Sequence, residues 1–215
     1  MKIKMLKIPE NVIDISYCNS PDWNAVKKSG VSAVIIRAGY YSNGFWKTDT
    51  KFHEHIKNAI LHGLNIGIYC YIMSDTVEQA KMEARHVLNV CKQYIPNINY
   101  PIFADMEHNK YCDKSKRELN TKILRAFCSE IERSGKYISG IYLNPSFRSS
   151  YINYSSIKPY YNIWLAHWTD RKSSYIDDNT TMWQYGTANY NGAEIDSSYC
   201  YIDYPNLTKM FRRGG

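Results

Sequence analysis

No stretch of the 215-residue chain holds the roughly 20 consecutive apolar residues that a membrane-spanning helix needs, so membrane insertion is not expected. Basic residues outnumber acidic ones by 27 to 20, a net charge of +7, yet they never gather. The longest uninterrupted runs are pairs such as Lys27-Lys28 and Arg212-Arg213. That scatter excludes a nucleic-acid-binding arm. The surplus charge instead favours other anionic partners, acidic cell-wall polymers among them. The six cysteines show no C-x-x-C or other zinc spacing, and a chain of this size does not need covalent staples, so free thiols are expected. Cys18 and Cys200 form the one candidate pair, because each follows an aspartate by four residues. No metal site is expected at His53 and His55, whose rings diverge at their spacing on a helix. The opening residues lack the continuous apolar core of a secretory leader. The reading is of a protein that stays cytoplasmic until it is released or exported by another route. No repeat, linker or low-complexity tract interrupts the chain. One domain over 1–215, with its core at about 12–207, and a monomeric state are expected.

What is present is alternation. Apolar segments at Val12–Ser16, Ala33–Ala38, Asn65–Ile72, Tyr100–Glu107 and Tyr137–Asn144 read as strands covered on both faces. Between them, apolar residues recur at helical spacing. Ser20-Pro21 predicts one helix start, and Asp75-Thr-Val-Glu78 and Ser115-Lys-Arg-Glu118 predict capping boxes at two more. After residue 161 the pattern changes. Strand-like segments at 163–168, 181–185 and 194–196 are separated by gaps too short for full crossover helices. Five β-α units followed by three bare strands predict an α/β fold. It is a TIM-like eight-stranded barrel of (β/α)5(β)3 type with its last helices missing.

In such a barrel, functional groups collect at the C-terminal ends of the strands. The run Tyr100-Pro-Ile-Phe-Ala-Asp105-Met-Glu107 places two carboxylates on one face of a strand and Ile102, Ala104 and Met106 on the other. Paired carboxylates beside an apolar wall are what glycosidic-bond hydrolysis requires. Asp14 closes the first strand and Asp196 lies in the eighth, which barrel closure makes neighbours. Arg37, Tyr69, Tyr71, Tyr142 and Asn144 fall at the same rim, and twenty tyrosines and five tryptophans offer stacking surfaces for sugars. Trp168 is one such candidate, while Trp164 and Trp183 fit the core equally well.

These residues resemble the glycoside hydrolase family 25 lysozymes, the N-acetylmuramidases of bacteria and their phages. The resemblance runs from Ile13-Asp14-Ile-Ser16 through Val34-Ile-Ile-Arg37, Gly63-Leu-Asn-Ile-Gly67-Ile-Tyr69 and Pro101-Ile-Phe-Ala-Asp105-Met-Glu107. It continues through Gly140-Ile-Tyr142, Trp164-Leu-Ala166 and Trp183-Gln184-Tyr185 to Ile195-Asp196. It implies cleavage of the β-1,4 bond between N-acetylmuramic acid and N-acetylglucosamine in the glycan strands of peptidoglycan. Glu107 is then the general acid, and Asp14, Asp105 and Asp196 complete the acidic cluster. A neighbouring-group, retaining route is implied, with no metal or organic cofactor. Asp203 competes with Asp196 for the last place. Arg37, Tyr69, Tyr71, Tyr142, Asn144, Trp168 and Gln184 form the expected substrate-binding set, with Arg37 neutralising the acids. A glycosidase acting on another polymer such as chitin, or a non-catalytic wall-binding barrel, is the alternative.

Overall fold

β-branched and aromatic residues in near-continuous apolar runs make strands that are buried on both faces, and the chain alternates such runs with amphipathic helices. The computed structural model describes residues 5–214. Its strands are β1 (Met5–Ile15), β2 (Val31–Ser42), β3 (Phe45–Thr48), β4 (Asn65–Tyr71), β5 (Ile98–Asp105), β6 (Ser139–Leu143), β7 (Asn162–Ala166), β8 (Thr180–Tyr190) and β9 (Ala193–Ile202). The helices are α1 (Trp23–Lys28), α2 (Phe52–Leu61), α3 (Val77–Cys91), α4 (Arg117–Arg133), α5 (Tyr154–Ile157) and α6 (Tyr204–Arg213).

Eight strands close a barrel in the order β1-β2-β4-β5-β6-β7-β8-β9, and β3 extends the sheet outside it as a hairpin partner of β2. Neighbours from β1 round to β8 run parallel, whereas β9 is antiparallel to both β8 and β1. The cause is local. Asn191 and Gly192 both adopt positive φ, at 55° and 92°, between the paired residues Tyr190 and Ala193. A two-residue turn of this kind joins antiparallel strands only. Asn43 and Gly44, at 52° and 78°, make the same turn between β2 and β3.

Side chains alternate between the lumen and the helical layer. Val12, Ile35, Phe103, Trp164, Met182 and Cys200 pack inside the barrel. Ile13, Ile36, Ile68, Ile102 and Ile141 pack outward with Phe52, Ala84, Leu124 and Phe127 of the helices. Gly140 makes room for the Phe103 ring, which a side chain there would strike. Phe103 and Trp164 then meet at 5.1 Å between ring centroids. Fully burying each such side chain contributes about 1.5–3 kcal/mol. In-facing positions one step above this apolar plug carry the polar groups of the rim.

Several local expectations are corrected. Asp22, not Ser20, caps α1, accepting from the Ala25 amide at 3.0 Å, while Ser20 accepts from Lys51. The α3 box is shifted by one residue: Thr76 accepts from the Gln79 amide, and Gln79 accepts from the Asp75 amide. Asp113 caps a 3₁₀ turn at Lys114–Lys116 that runs into α4, and no side-chain cap forms at Lys116. The proposed Cys18–Cys200 bridge is absent and all six thiols are free. Because β9 runs antiparallel, Cys200 sits in the lumen, four residues further from the rim than Asp196, while Cys18 is exposed beyond the top of β1. The end of the chain also has an element that the sequence reading left out. Asp203 caps α6, Tyr204 is fully buried against Tyr100, and Thr208 donates to Asn99 O at 2.9 Å. The helix packs against β5.

Candidate active site

Strand register assembles the acids. Asp14 near the end of β1 lies directly opposite Asp196 near the start of β9. Opposed residues of an antiparallel pair project on the same face, with Cβ atoms about 4.5–5.5 Å apart. Asp196 therefore reaches the rim by a route unlike that of the parallel strands. Asp105 ends β5, and Glu107 follows two residues later in the loop. Asp203 is excluded from the cluster by its capping of α6.

The acids shift one another. Burial pushes the Asp14 carboxyl well above the ordinary carboxylate range, the charge of Asp196 adds to this, and Glu107 contributes less. Asp105 is likewise pushed well up, first by burial, then by Glu107 and Asp14, with Arg37 opposing. Glu107 is exposed at the rim, yet the walls around it still desolvate its carboxyl and raise its pKa, and Asp196 raises it further. Burial also raises Asp196. Asp105 Oδ1 is buried and has no hydrogen-bond partner.

Gln184 organises one side of the cluster. It is 2% exposed; its Nε2 donates to Asp14 Oδ2 at 2.9 Å. Its Oε1 accepts from Tyr142 Oη at 3.1 Å and from Trp168 Nε1 at 3.0 Å. Trp168 is 57% exposed and extends the wall outward from this contact. Trp164 is in the lumen, donating to Ser198 Oγ at 3.1 Å, and Trp183 donates to His167 O at 2.9 Å. Strand irregularities flank two of the polar residues, between Arg37 and Gly39 on β2 and between Gln184 and Gly186 on β8. Such bulges re-aim side chains next to sites. At Gly39 any Cβ would strike Lys47 O.

The other side is built on Arg37. Its Nε bonds Asp49 Oδ2 at 2.8 Å, and its guanidinium lies over the rings of Tyr17 at 4.8 Å and Tyr40 at 5.6 Å. Asp49 also accepts from the amides of Tyr17 and Lys51. Arg37 thus neutralises Asp49 by direct contact and acts on the acid cluster at longer range. Tyr69 and Tyr71 rise from β4 beside it. Burial and then the charge of Asp14 push the Tyr69 phenol well up, while burial, Glu107 and Asp105 bring Tyr71 to about 12. Both are neutral donors at ordinary pH. Asn144 has the carbonyl end of its carboxamide engaged: its Oδ1 accepts from the Phe147 amide at 3.0 Å, at the entry to a short π-helical turn at Phe147–Tyr151. Tyr17, Tyr40 and Asp49 were missed by sequence reasoning; the Asn43-Gly44 turn, which folds β3 back on β2, was the signal available. Among the described residues, no group of three or more His, Cys, Asp or Glu side chains is arranged to hold a metal ion.

An eight-stranded barrel with carboxylates from three strands in one mouth and tyrosines around them has the architecture of a glycoside hydrolase. The sequence model of glycosyl hydrolases family 25 matches residues 13–193, and the chain belongs to that family. No curated protein sequence matches it. Among solved structures it is similar to the modular autolysin LytC from Streptococcus pneumoniae, with a TM-score of 0.76 and 25% identity, over 90% of this chain and 47% of that one. The catalytic domain of endolysin ply40 from bacteriophage P40 of Listeria monocytogenes gives 0.76 at 20% identity, over 95% and 98% of the two chains. The bacterial lysozyme from Streptomyces coelicolor gives 0.73 at 18%, over 98% and 100%. The chain thus spans about half the length of LytC and nearly all of the other two.

Proposed function

We propose that the protein is a peptidoglycan hydrolase that cleaves the β-1,4 bond between N-acetylmuramic acid and N-acetylglucosamine. The observation that carries this is the convergence of Asp14, Asp105, Glu107 and Asp196, with burial and mutual repulsion holding protons on a cluster that would otherwise be fully ionised. Glu107, the acid at the open rim, protonates the leaving glycosidic oxygen. Asp105 keeps a buried Oδ1 with no partner, an acceptor for the N–H of a 2-acetamido group. Held there, the acetamido carbonyl oxygen attacks the anomeric carbon as the C–O bond to the leaving sugar breaks. Glu107, now ionised, takes a proton from the water that opens the resulting ring, and the anomeric configuration is retained. Tyr69 and Tyr71 donate to sugar oxygens, Tyr142 keeps its donor on Gln184, and Trp168 offers a stacking face. The site of action is the cell wall.

Purified cell walls and chitin oligomers, each incubated with wild type and Glu107→Gln, test the reading. Wall glycan is cleaved by wild type with the first-formed anomer retained by NMR, and the folded variant loses most of the activity. Release from chitin alone would move the substrate to another polymer. Equal clearing by the variant would remove Glu107 from its role.

A further inference from the structure

A cavity of about 620 Å³ opens beside the acid cluster, between the β2–β3 hairpin, the start of α3 and the loop after β4. None of the four acids lines it, but Arg37 and Tyr71 do; the charge of Arg37 acts on Asp105, and those of Glu107 and Asp105 act on Tyr71. It is therefore next to the point of cleavage without containing it. Its volume is within the range of about 300–1,000 Å³ typical of ligand sites.

The lining argues against a sugar platform. The Tyr17 and Tyr40 rings already carry the Arg37 guanidinium. Tyr41 packs edge-on against Trp46 and His86, which stack on each other at 5.4 Å and fix the hairpin to α3. What the cavity presents instead is charge of both signs beside thioethers. Arg37 lines it, and its Nη2 is buried with no hydrogen-bond partner. Lys110 pairs with Asp75 at 2.8 Å on the rim, and Met73 and Met82 supply adaptable apolar surface. The floor is rigid. Glu83, 1% exposed, accepts from the Met73 amide at 2.9 Å and from Ser74 Oγ at 2.5 Å. Lys110 Nζ donates to Met73 O and Tyr111 Oη donates to Ser74 O, both from the loop that follows Glu107. A preformed wall of this kind lowers the ordering cost of binding.

A ligand with amides, small methyl side chains, carboxylates and amines matches that inventory. We propose that the cavity receives the stem peptide carried by the lactyl group of muramic acid, with Arg37 on a peptide carboxylate. This rests on the reading of the substrate as peptidoglycan.

The test compares kcat/KM on glycan strands bearing their peptides with kcat/KM on strands from which an amidase has removed them. Wild type and Met82→Trp, which fills the cavity from an exposed position on α3, are both measured after their folding is checked by thermal melting. Wild type is expected to prefer peptide-bearing strands by about ten-fold or more, and the variant to lose that preference. Equal cleavage of both strands by wild type, or a preference that survives Met82→Trp, overturns the proposal. Equal losses on both strands would make the cavity a glycan subsite and overturn it as well. If wild type cleaves neither strand, the parent reading fails by itself. NMR titration with a soluble stem tetrapeptide then decides the cavity: shifts of the Met82 methyl and Arg37 Nε signals support it, and their absence overturns it.

Discussion

Gln184 Nε2 donates to Asp14 Oδ2 at 2.9 Å, joining residues 170 positions apart across the β8–β9–β1 corner of the barrel. The same carboxamide accepts from Tyr142 and Trp168, which fixes which of its ends faces the acid. This bond favours the charged form of Asp14 against burial and Asp196, which oppose it. Gln184→Leu removes it. Asp14 should then release its proton at a higher pH than in wild type, read from its side-chain carboxyl carbon by NMR. Tyr142 and Trp168, neither of them buried, also lose their acceptor, so stability should fall by about 1 kcal/mol. An unchanged Asp14 titration would show that the bond does not set its charge.

Glu107 must be protonated to act as an acid, so activity falls as pH rises through its pKa. Burial, then Asp196, raise that pKa above the ordinary glutamate range, which carries the alkaline limb of kcat/KM upward with it. Asp196→Asn removes the second cause. The alkaline limb should move to lower pH, measured on soluble glycan fragments across pH 4–9, a span chosen to bracket ordinary and raised carboxyl values. Glu107→Gln should cost roughly 10²–10⁴ in kcat, the range for loss of a general acid, while leaving the melting temperature near that of wild type.

Asp14 also has a cost in stability. Its folded-state pKa stands above its unfolded value, because burial and Asp196 disfavour the charge. The folded protein therefore binds more protons than the unfolded chain in the window between the two values, and stability declines as pH rises through it. Below the ordinary aspartate range the penalty vanishes. Asp14→Asn keeps an acceptor for Gln184 and removes the charge. It should melt about 2–4 °C higher than wild type at pH 7, the shift for roughly 1 kcal/mol in a chain of this size, with the gap closing in acid. A variant that melted lower at pH 7 would mean that the charge is compensated in the fold. A stabilised, inactive Asp14→Asn would mark a site that trades stability for chemistry.

The barrel and its four acids were legible because both depend on short-range signals. Covered strands are nearly pure apolar runs, and the acids stand out against them at the run ends. The rest needed turn chemistry. Asn191-Gly192 was a hairpin signal in plain sight, and it makes β9 antiparallel, so that Cys200 points into the lumen and cannot approach Cys18. Asn43-Gly44 folds β3 onto β2 and leads into Asp49, whose pairing with Arg37 no spacing rule reveals. Helix starts were displaced by one or two residues because Asp22 and Thr76 outcompeted the serine and aspartate chosen from pattern alone.

Arg37 and Asp49 supply a direct test of how that second wall is held. The Asp49 side chain has no exposure and that of Arg37 only 15%, so each is the main counter-charge of the other. Removing one partner leaves a buried charge uncompensated, whereas removing both leaves none. Arg37→Met should destabilise by about 3 kcal/mol or more, and Arg37→Met/Asp49→Asn by clearly less than the sum of the two single changes. Denaturant unfolding of the four proteins measures the coupling. The charge of Arg37 also opposes the upward shift of Asp105, so the single Arg37→Met change should make Asp105 hold its proton to still higher pH. Additive losses with an unmoved Asp105 would show that the two charges are not coupled.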